Sequence, residues 1–230
     1  MRRLLRWLAL LLLAYPALVL LLGLAYLFLP PVSTLMVGRW LSGRAVERSY
    51  VRLADISPYL PAAVIASEDA RFCRHRGVDW GVLREVIDEA DDGGPSRGAS
   101  TIPMQVAKNL FLWPSRSYLR KGLELPVALY IDLIWPKRRM MEIYLNVVEW
   151  GEGVFGAEAA ARTHFGKSAR DLTRREAALL ATSLPNPLAR DPARPSARQR
   201  ALGARILARM GASGRPACLG ADTSRAVSRG

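Results

Sequence analysis

Residues 66–80 of the chain read ASEDARFCRHRGVDW and are the most informative stretch of the sequence. Two adjacent carboxylates, Glu68 and Asp69, stand at the end of an apolar run and are followed by aromatic and His side chains. A carboxylate in this setting is a candidate catalytic base. An isolated Glu-Asp pair is more often an ordinary helix end bonded to Arg71 or Arg74, so the pair alone decides nothing.

The residues on either side predict helices. Ser57 and Pro58 are typical of a helix start, with Ser as the cap and Pro in the first turn, which puts Glu68 at that helix's C-terminal end. Residues 91–98 have the composition of a flexible, exposed loop and are interpreted as a mobile lid. After it, residues 98–109 read GASTIPMQVAKN, where Ser100 or Thr101 can cap the next helix.

The second half of the chain also predicts helices, and the architecture is expected to be all-α. Residues 120–124 read RKGLE and residues 137–146 read KRRMMEIYLN. Helices are predicted over 121–134 and 137–148, separated where Pro136 disfavours helical geometry at the residue before it. Three further helices are predicted. One covers 157–165, a second begins at a capping box formed by Thr173 and Glu176, and a third lies near 199–210.

Taken in order, these segments resemble the four signatures of the peptidoglycan glycosyltransferases, most closely the monofunctional biosynthetic transglycosylases, over roughly residues 51–187. Residues 68–79 match the pattern E-D-x-x-F-x-x-H-x-G-x-D at every fixed position. Residues 98–109 match G-x-S-T-I-x-x-Q-x-x-K-N, but Pro103 and Met104 stand where the family usually has a small polar residue and Gln. Pro103 is tolerated in a first helical turn, whereas Met104 puts one sugar contact in doubt.

The resemblance implies roles for the polar residues of these segments. It makes Glu68 the catalytic base and gives Glu124 a second acidic role beside the leaving pyrophosphate, orienting the cations. The implied substrate and pyrophosphate contacts are Ser100, Thr101, Gln105, Lys108, Asn109, Arg116, Arg120 and Lys121. The implied supporting residues are Asp69, Phe72, His75, Lys137, Glu142 and Asn146, and Tyr144 is also expected to be structural. Without the resemblance, Lys108 would be a solvated helix residue and Arg120 and Glu124 an ordinary intrahelical ion pair.

The fold and activity that the resemblance implies are a mainly α, lysozyme-like domain that polymerises lipid II into β-1,4 glycan strands. One inverting displacement releases undecaprenyl pyrophosphate. The resemblance also implies inhibition by moenomycin, a phosphoglycolipid. Two alternatives are a lytic transglycosylase or muramidase of related fold and a catalytically silent membrane scaffold. The S-T-I and R-K-x-x-E segments argue against the first, and only Pro103 and Met104 suggest the second.

The first thirty residues predict a membrane anchor. No charged residue lies between Leu8 and Leu29, and a helix needs roughly twenty apolar residues to cross a bilayer. The alternative is a signal peptide, but no small-x-small cleavage site follows. Arginines precede the run, so the N-terminus is expected in the cytoplasm and the catalytic domain in the periplasm of a bacterial inner membrane. The predicted organisation is an anchor at 1–30, a glycosyltransferase domain at 31–212 and a loosely ordered tail at 213–230.

The composition of the chain limits which classes of partner and cofactor are expected. The net charge of +13 is carried mostly by scattered Arg, so anionic lipid head groups and lipid-linked phosphates are expected rather than nucleic acid. With two Cys and two His, a multi-Cys zinc site is excluded, and Cys73 and Cys218 are expected either to pair or to be buried thiols. No cofactor is expected to be required, although a divalent cation could assist at the pyrophosphate. The expected partners are lipid II, the growing strand, membrane lipids, penicillin-binding transpeptidases and divisome proteins.

Overall fold

The computed structural model describes residues 2–91, 98–115, 117–211 and 216–220, and these residues form ten α-helices and three short strands. The helices are α1 (Arg2–Ala25), α2 (Thr34–Leu41), α3 (Tyr59–Glu68), α4 (Trp80–Asp91), α5 (Ile102–Phe111), α6 (Tyr118–Ile134), α7 (Lys137–Val147), α8 (Ala157–Phe165), α9 (Arg174–Ala181) and α10 (Ala197–Arg209). The mainly α fold predicted from the sequence is confirmed. Arg116 and residues 92–97 of the predicted lid lie outside the described residues.

A small sheet joins two distant parts of the chain, and the sequence did not predict it. Its strands are β1 (Glu47–Arg48), β2 (Glu149–Gly151) and β3 (Val154–Phe155), in the order β1-β3-β2. β1 runs parallel to β3, and β2 runs antiparallel to it. The expectation of an all-α architecture was therefore wrong in this detail, because strands of two or three residues are too short to show an alternating apolar pattern.

Side-chain caps fix where most of the helices begin. Thr101 accepts a hydrogen bond from the backbone N–H of Met104 at the start of α5, and Thr173 with Glu176 forms the predicted capping box of α9. Ser117 caps α6, so that helix begins at Tyr118, three residues before the predicted start. Each cap satisfies a backbone N–H that the first helical turn leaves without a partner.

The start of α3 differs from the prediction. Pro58, not Ser57, is the N-cap residue, and no side-chain hydrogen bond caps this helix. The hydroxyl of Ser57 instead donates to the carbonyl oxygen of Leu172 at 2.7 Å. Ser57 is buried, so a partner 115 residues away in sequence replaces the local capping bond. The helix still ends at Glu68, as predicted.

One apolar core brings α3 and α5 together and so positions the candidate site. α5 packs against α6 and α7, while α3 packs against α9, which also contacts α10. The fully buried large side chains at the centre of the domain come from several of these elements and include Leu60, Phe72, Ile102, Met104, Ile131, Met141, Tyr144 and Trp150. Because this core fixes the ends of α3 and α5 against each other, polar side chains leaving those ends are held at defined positions.

The end of α1 lies against α6 and the segment after it. The Trp135 ring N–H donates to the carbonyl oxygen of Gly23 at 2.8 Å, and the Tyr130 hydroxyl donates to that of Leu20 at 2.7 Å. A Cβ at position 23 would lie 2.6 Å from the Tyr130 ring, so any larger residue there would displace that ring. Within the described part of the chain, no helix is long and apolar enough to cross a membrane, so the structure does not show the spanning helix predicted from Leu8 to Leu29.

A disulfide joins Cys73 to Cys218, which resolves the two outcomes that the sequence left open. Cys218 belongs to a short 3₁₀ turn over Ala217–Leu219, and a guanidinium N–H of Arg138 donates to the carbonyl oxygen of Leu219. The segment 216–220 of the predicted tail is therefore held against α7 and the turn that follows α3. The loosely ordered tail stays a prediction for residues 213–215 and 221–230, which lie outside the described residues.

Candidate active site

Glu68 is the last residue of α3, and its carboxylate is half-buried. The Ser67 hydroxyl donates to Oε1 at 3.0 Å, and the side-chain amide of Gln105 donates to Oε2 at 3.1 Å. Burial raises the pKa of Glu68, and the hydrogen bonds from Gln105 and Ser67 and the charges of Lys108 and Arg190 oppose that rise. A carboxylate with a raised pKa is a stronger base once ionised, so Glu68 is suited to accept a proton.

Asp69 connects the end of α3 to the start of α5. Its carboxylate is buried and accepts hydrogen bonds from His75 Nε2, at 2.9 and 3.0 Å to its two oxygens. The backbone N–H of Ile102 donates to Oδ2 at 2.9 Å. These bonds hold the neighbouring Glu68 at a fixed distance from the first turn of α5, while both Asp69 oxygens and His75 Nε2 are occupied inside the protein.

The turn from Phe72 to Gly77 is shaped by packing. Phe72 is fully buried, and the ammonium of Lys137 lies 4.7 Å from its ring centroid while donating to the carbonyl oxygen of His75. Gly77 has a φ of 69°, and a Cβ there would lie 2.8 Å from the carbonyl oxygen of Ala128. Only glycine fits this position, which explains why the first motif contains it.

A cluster of cations surrounds one buried carboxylate, Glu124, near Lys108 of α5. Glu124 is 2% exposed; it accepts hydrogen bonds from Arg120 Nη1 and, at 2.7 Å, from Lys121 Nζ. Lys121 also donates to the Ser100 hydroxyl. Burial lowers the pKa of Lys108, the charge of Glu124 opposes that change, and Arg120 and Lys121 add to it. Three cations thus share one carboxylate, and the excess positive charge is available to an anion.

A cavity of about 340 Å³ opens beside this cluster, between α2 and α5. Lys108, Asn109 and Arg120 line it, and Thr34, Leu35, Pro114 and Ser115 complete its wall. The Thr34 hydroxyl donates to the carbonyl oxygens of Asn109 and Leu112, at 3.2 and 2.8 Å, and so fastens α2 to the end of α5. A cavity with Lys and Arg in its wall is suited to phosphate oxygens, which Arg can bind in a bidentate manner.

The residues of the second motif have different environments. The Thr101 hydroxyl is occupied by bonds within the protein: it donates to the carbonyl oxygen of Gly77 at 2.6 Å and caps α5. Gln105 and Lys108 are both partly buried and lie three apart on α5, so they share one face of the helix. Met104 is 1% exposed and belongs to the core, so this departure from the family pattern adds an apolar core residue.

The fourth motif holds the segment that leads into α3. Glu142 accepts hydrogen bonds from the Tyr50 hydroxyl at 3.0 Å and from the backbone N–H of Leu53 at 2.8 Å. Asn146 pairs with both the N–H and the carbonyl oxygen of Val51. These contacts involve backbone and structural side chains, and none of them includes Glu68.

Three residues that the sequence did not assign to the site, Tyr144, Arg190 and Thr34, contribute to it in the structure. Tyr144 donates from its hydroxyl to Gln105 Oε1 at 2.9 Å, although it lies in a motif predicted to be structural. The charge of Arg190 lowers the pKa of Glu68, and its guanidinium donates to the carbonyl oxygen of Thr182 at 2.7 Å. Thr34 lines the cavity. Only Tyr144 had a local signal, since it lies within the fourth motif.

Comparison with known proteins agrees with this geometry. A family model described as Transglycosylase matches residues 35–211. A protein of Rhizobium meliloti (strain 1021) named biosynthetic peptidoglycan transglycosylase is 55% identical over 187 residues, covering 81% of this chain and 79% of its own length. A protein of the same name from Rhodopseudomonas palustris (strain HaA2) is 53% identical over 211 residues, covering 91% of this chain and 93% of its own length.

Proposed function

This chain belongs to the transglycosylase family, and we therefore propose that it is a peptidoglycan glycosyltransferase that polymerises lipid II into β-1,4 glycan strands. One observation carries the proposal. α5 presents Gln105, bonded to the candidate base Glu68, and Lys108, which lines the cationic cavity, on the same helical face. A proton acceptor and a phosphate site are therefore adjacent, as one displacement at a sugar-phosphate carbon requires.

In the proposed reaction, Glu68 removes the proton from the 4-hydroxyl of the incoming lipid II. The hydroxyl oxygen attacks C1 of the sugar at the reducing end of the growing strand. The bond between C1 and the phosphate oxygen breaks, and undecaprenyl pyrophosphate leaves with the bonding electron pair. Because the α linkage of the donor becomes a β linkage, a single inverting step suffices and no covalent enzyme intermediate is needed.

The leaving pyrophosphate needs charge stabilisation more than protonation. We assign this to Lys108, Arg120 and Lys121, which Glu124 holds together through its bonds to the two latter residues. Arg116 is expected to contribute on the basis of the sequence alone. Preorganised cations act strongly on charge that develops in the transition state, because they need no reorganisation when the bond breaks. We propose that no cofactor is required, and that a divalent cation at most assists at the pyrophosphate.

We propose that the protein is a single-pass inner-membrane protein with its catalytic domain in the periplasm. The charge-free run from Leu8 to Leu29 and the arginines before it support this assignment. Exposed apolar side chains at Leu18, Leu21 and Leu24 of α1 are also consistent with contact to lipid. Membrane lipids are then direct neighbours, and penicillin-binding transpeptidases and divisome proteins are proposed partners.

The anchor can be tested by removing residues 1–30. We expect the shortened protein still to polymerise detergent-solubilised lipid II, but to work more slowly on lipid II in bilayers. The physical reason is that an anchor concentrates the enzyme beside its membrane-bound substrate. Gel analysis of labelled glycan products in both media measures the effect. Equal rates on bilayers would contradict the anchor.

The activity itself is tested with purified protein and labelled lipid II, followed by separation of the products on a gel. Polymer formation is expected. A parallel incubation with cell-wall sacculi tests for a lytic transglycosylase or muramidase, which would release soluble fragments instead. A scaffold without activity would give neither product.

Lys108→Met should lower kcat/KM for lipid II polymerisation about tenfold to a hundredfold, since a hydrogen bond to a charged group contributes about 1.5–3 kcal/mol. Methionine keeps the apolar stem but removes the charge that lies in the cavity wall. Moenomycin binding should weaken too, because both ligands present phosphate. Lys167→Met is the matched control: Lys167 pairs with Glu176, outside the described site. If Lys108→Met left both activity and moenomycin binding unchanged, Lys108 would have no part in binding phosphate.

A further inference from the structure

The Tyr144 hydroxyl belongs to a hydrogen-bonded chain that ends at Glu68. Tyr144 lies on α7, is fully buried, and donates to Gln105 Oε1 at 2.9 Å. Burial raises the pKa of Tyr144 well above its ordinary value, and the charges of Glu68 and Asp69 raise it further. The hydroxyl therefore keeps its proton at every pH at which an enzyme works, and it always presents a donor to Gln105.

The two ends of the Gln105 side chain differ in hydrogen-bonding character. Its oxygen only accepts and its NH₂ group only donates. An ionised carboxylate only accepts, so the NH₂ group must face Glu68, where its nitrogen lies 3.1 Å from Oε2. The reversed amide would put two acceptors against each other at Glu68. At Tyr144 the hydroxyl oxygen would accept from the NH₂ group, but its own buried proton would lose the Gln105 Oε1 acceptor that it has in the structure. One orientation satisfies all three groups.

We propose that Tyr144 is a positioning residue for the catalytic base: its hydroxyl fixes the Gln105 amide in the orientation that donates a hydrogen bond to Glu68. The proposal rests on the proposed function, because it gives Glu68 the role of base. Tyr144 is buried in the core and has no need to touch the substrate. It acts through Gln105, which links α7 to the end of α3 by way of α5.

The consequence concerns how easily Glu68 ionises. The groups that favour its ionised form are Gln105 and Lys108 from α5, Ser67 from α3 and Arg190 from the segment after α9, and they oppose the effect of burial. Without the Tyr144 hydroxyl, the Gln105 amide is free to rotate and its bond to Glu68 is lost for part of the time. The proton is then held more tightly, and less base is available near neutral pH.

The test is Tyr144→Phe, which removes one oxygen atom and keeps the ring in the core. In the dependence of kcat/KM on pH, the acid limb should move to higher pH by about one unit, the scale of one hydrogen bond to an ionised group. At pH values below the acid limb, the variant should be roughly tenfold less active than the wild type. At higher pH, where Glu68 is ionised in both proteins, the two activities should be equal. A purely structural role for Tyr144 would not move the limb.

Two control variants make the result specific. Tyr50→Phe removes another tyrosine hydroxyl that bonds a residue of α7, Glu142, but it has no link to Gln105, so its pH profile should match the wild type. Gln105→Met breaks the chain in the middle. Adding Tyr144→Phe to Gln105→Met should then change nothing further, because a residue that acts through another loses its effect when the intermediary is absent.

A measurement without turnover separates this proposal from the proposed function. Titration of the ¹³C-labelled Glu68 carboxyl by NMR reports its pKa directly, and Tyr144→Phe should raise it. A wild-type protein that fails to polymerise lipid II would overturn the function and leave the titration to decide the positioning role. An unchanged Glu68 pKa, additive effects in the double variant, or a Tyr144→Phe protein that cannot fold would each overturn the positioning role.

Discussion

Glu68→Gln should lower the rate of lipid II polymerisation by at least about 10²-fold, since a general base typically contributes about 10²–10⁴ in rate. Glutamine keeps the size of the side chain and can still accept a hydrogen bond from Gln105, but it cannot take up a proton. Moenomycin binding should survive, because Lys108 and Arg120 in the cavity wall are untouched. Product gels give the rate, and inhibitor binding is measured separately.

The same substitution should not weaken the fold at neutral pH. Because burial raises the pKa of Glu68, the folded state holds that proton more tightly than the unfolded state does. Stability is therefore lost as the pH rises through the raised pKa, and Glu68→Gln removes this loss. We expect its melting temperature to equal or exceed that of the wild type at neutral pH, with the difference vanishing below the ordinary pKa of glutamate.

The matched control for Glu68→Gln is Glu152→Gln, which changes an exposed carboxylate. It should leave both rate and melting temperature unchanged. Near-normal polymerisation by an intact Glu68→Gln protein would remove Glu68 from the mechanism and make Glu124 the next candidate for the base.

Glu124→Ala should destabilise the protein by about 3 kcal/mol or more, because breaking a buried ion pair leaves an uncompensated charge. Arg120 is only 9% exposed, and it would lose its carboxylate partner while Lys108 and Lys121 remain close. For a protein of this size the melting temperature should fall by roughly 6–12 °C. Polymerisation should fall as well, since the cations repel one another and leave their positions.

A double variant separates the two effects of Glu124. Arg120→Leu with Glu124→Leu removes both buried charges together, and replacing a whole buried pair by apolar side chains is often neutral for stability. The double variant should melt well above Glu124→Ala and still be poorly active. If the double variant regained activity along with stability, the pair would be a structural element with no part in binding the pyrophosphate.

The sequence predicted the parts of the fold and site that depend on local spacing. The capping box of Thr173 and Glu176, the break at Pro136 and the helix end at Glu68 are each decided within a few residues, and each is found in the structure. Gln105 and Lys108 fall on one face of α5 for the same reason.

The interactions that sequence reasoning missed join residues distant in the chain. The bond between Tyr144 and Gln105 spans 39 residues, and that between Ser57 and Leu172 spans 115. Which side chain meets which across such distances is decided by the packing of whole helices, and no local pattern encodes it. The pairing of β1 with β3 is another example, since each strand is too short to be recognised without its partner.

The disulfide between Cys73 and Cys218 has a consequence for the biosynthesis of the protein. The two cysteines are 145 residues apart, and all four motifs begin before the second one is translated. Until residue 218 has been synthesised, the disulfide cannot hold the turn beside Asp69 and His75, and such a bond persists only in an oxidising environment. A chain truncated before Cys218 would carry all four motifs with an unpaired thiol at Cys73, five residues from the candidate base Glu68. Labelling of that thiol would then distinguish unfinished molecules from finished ones.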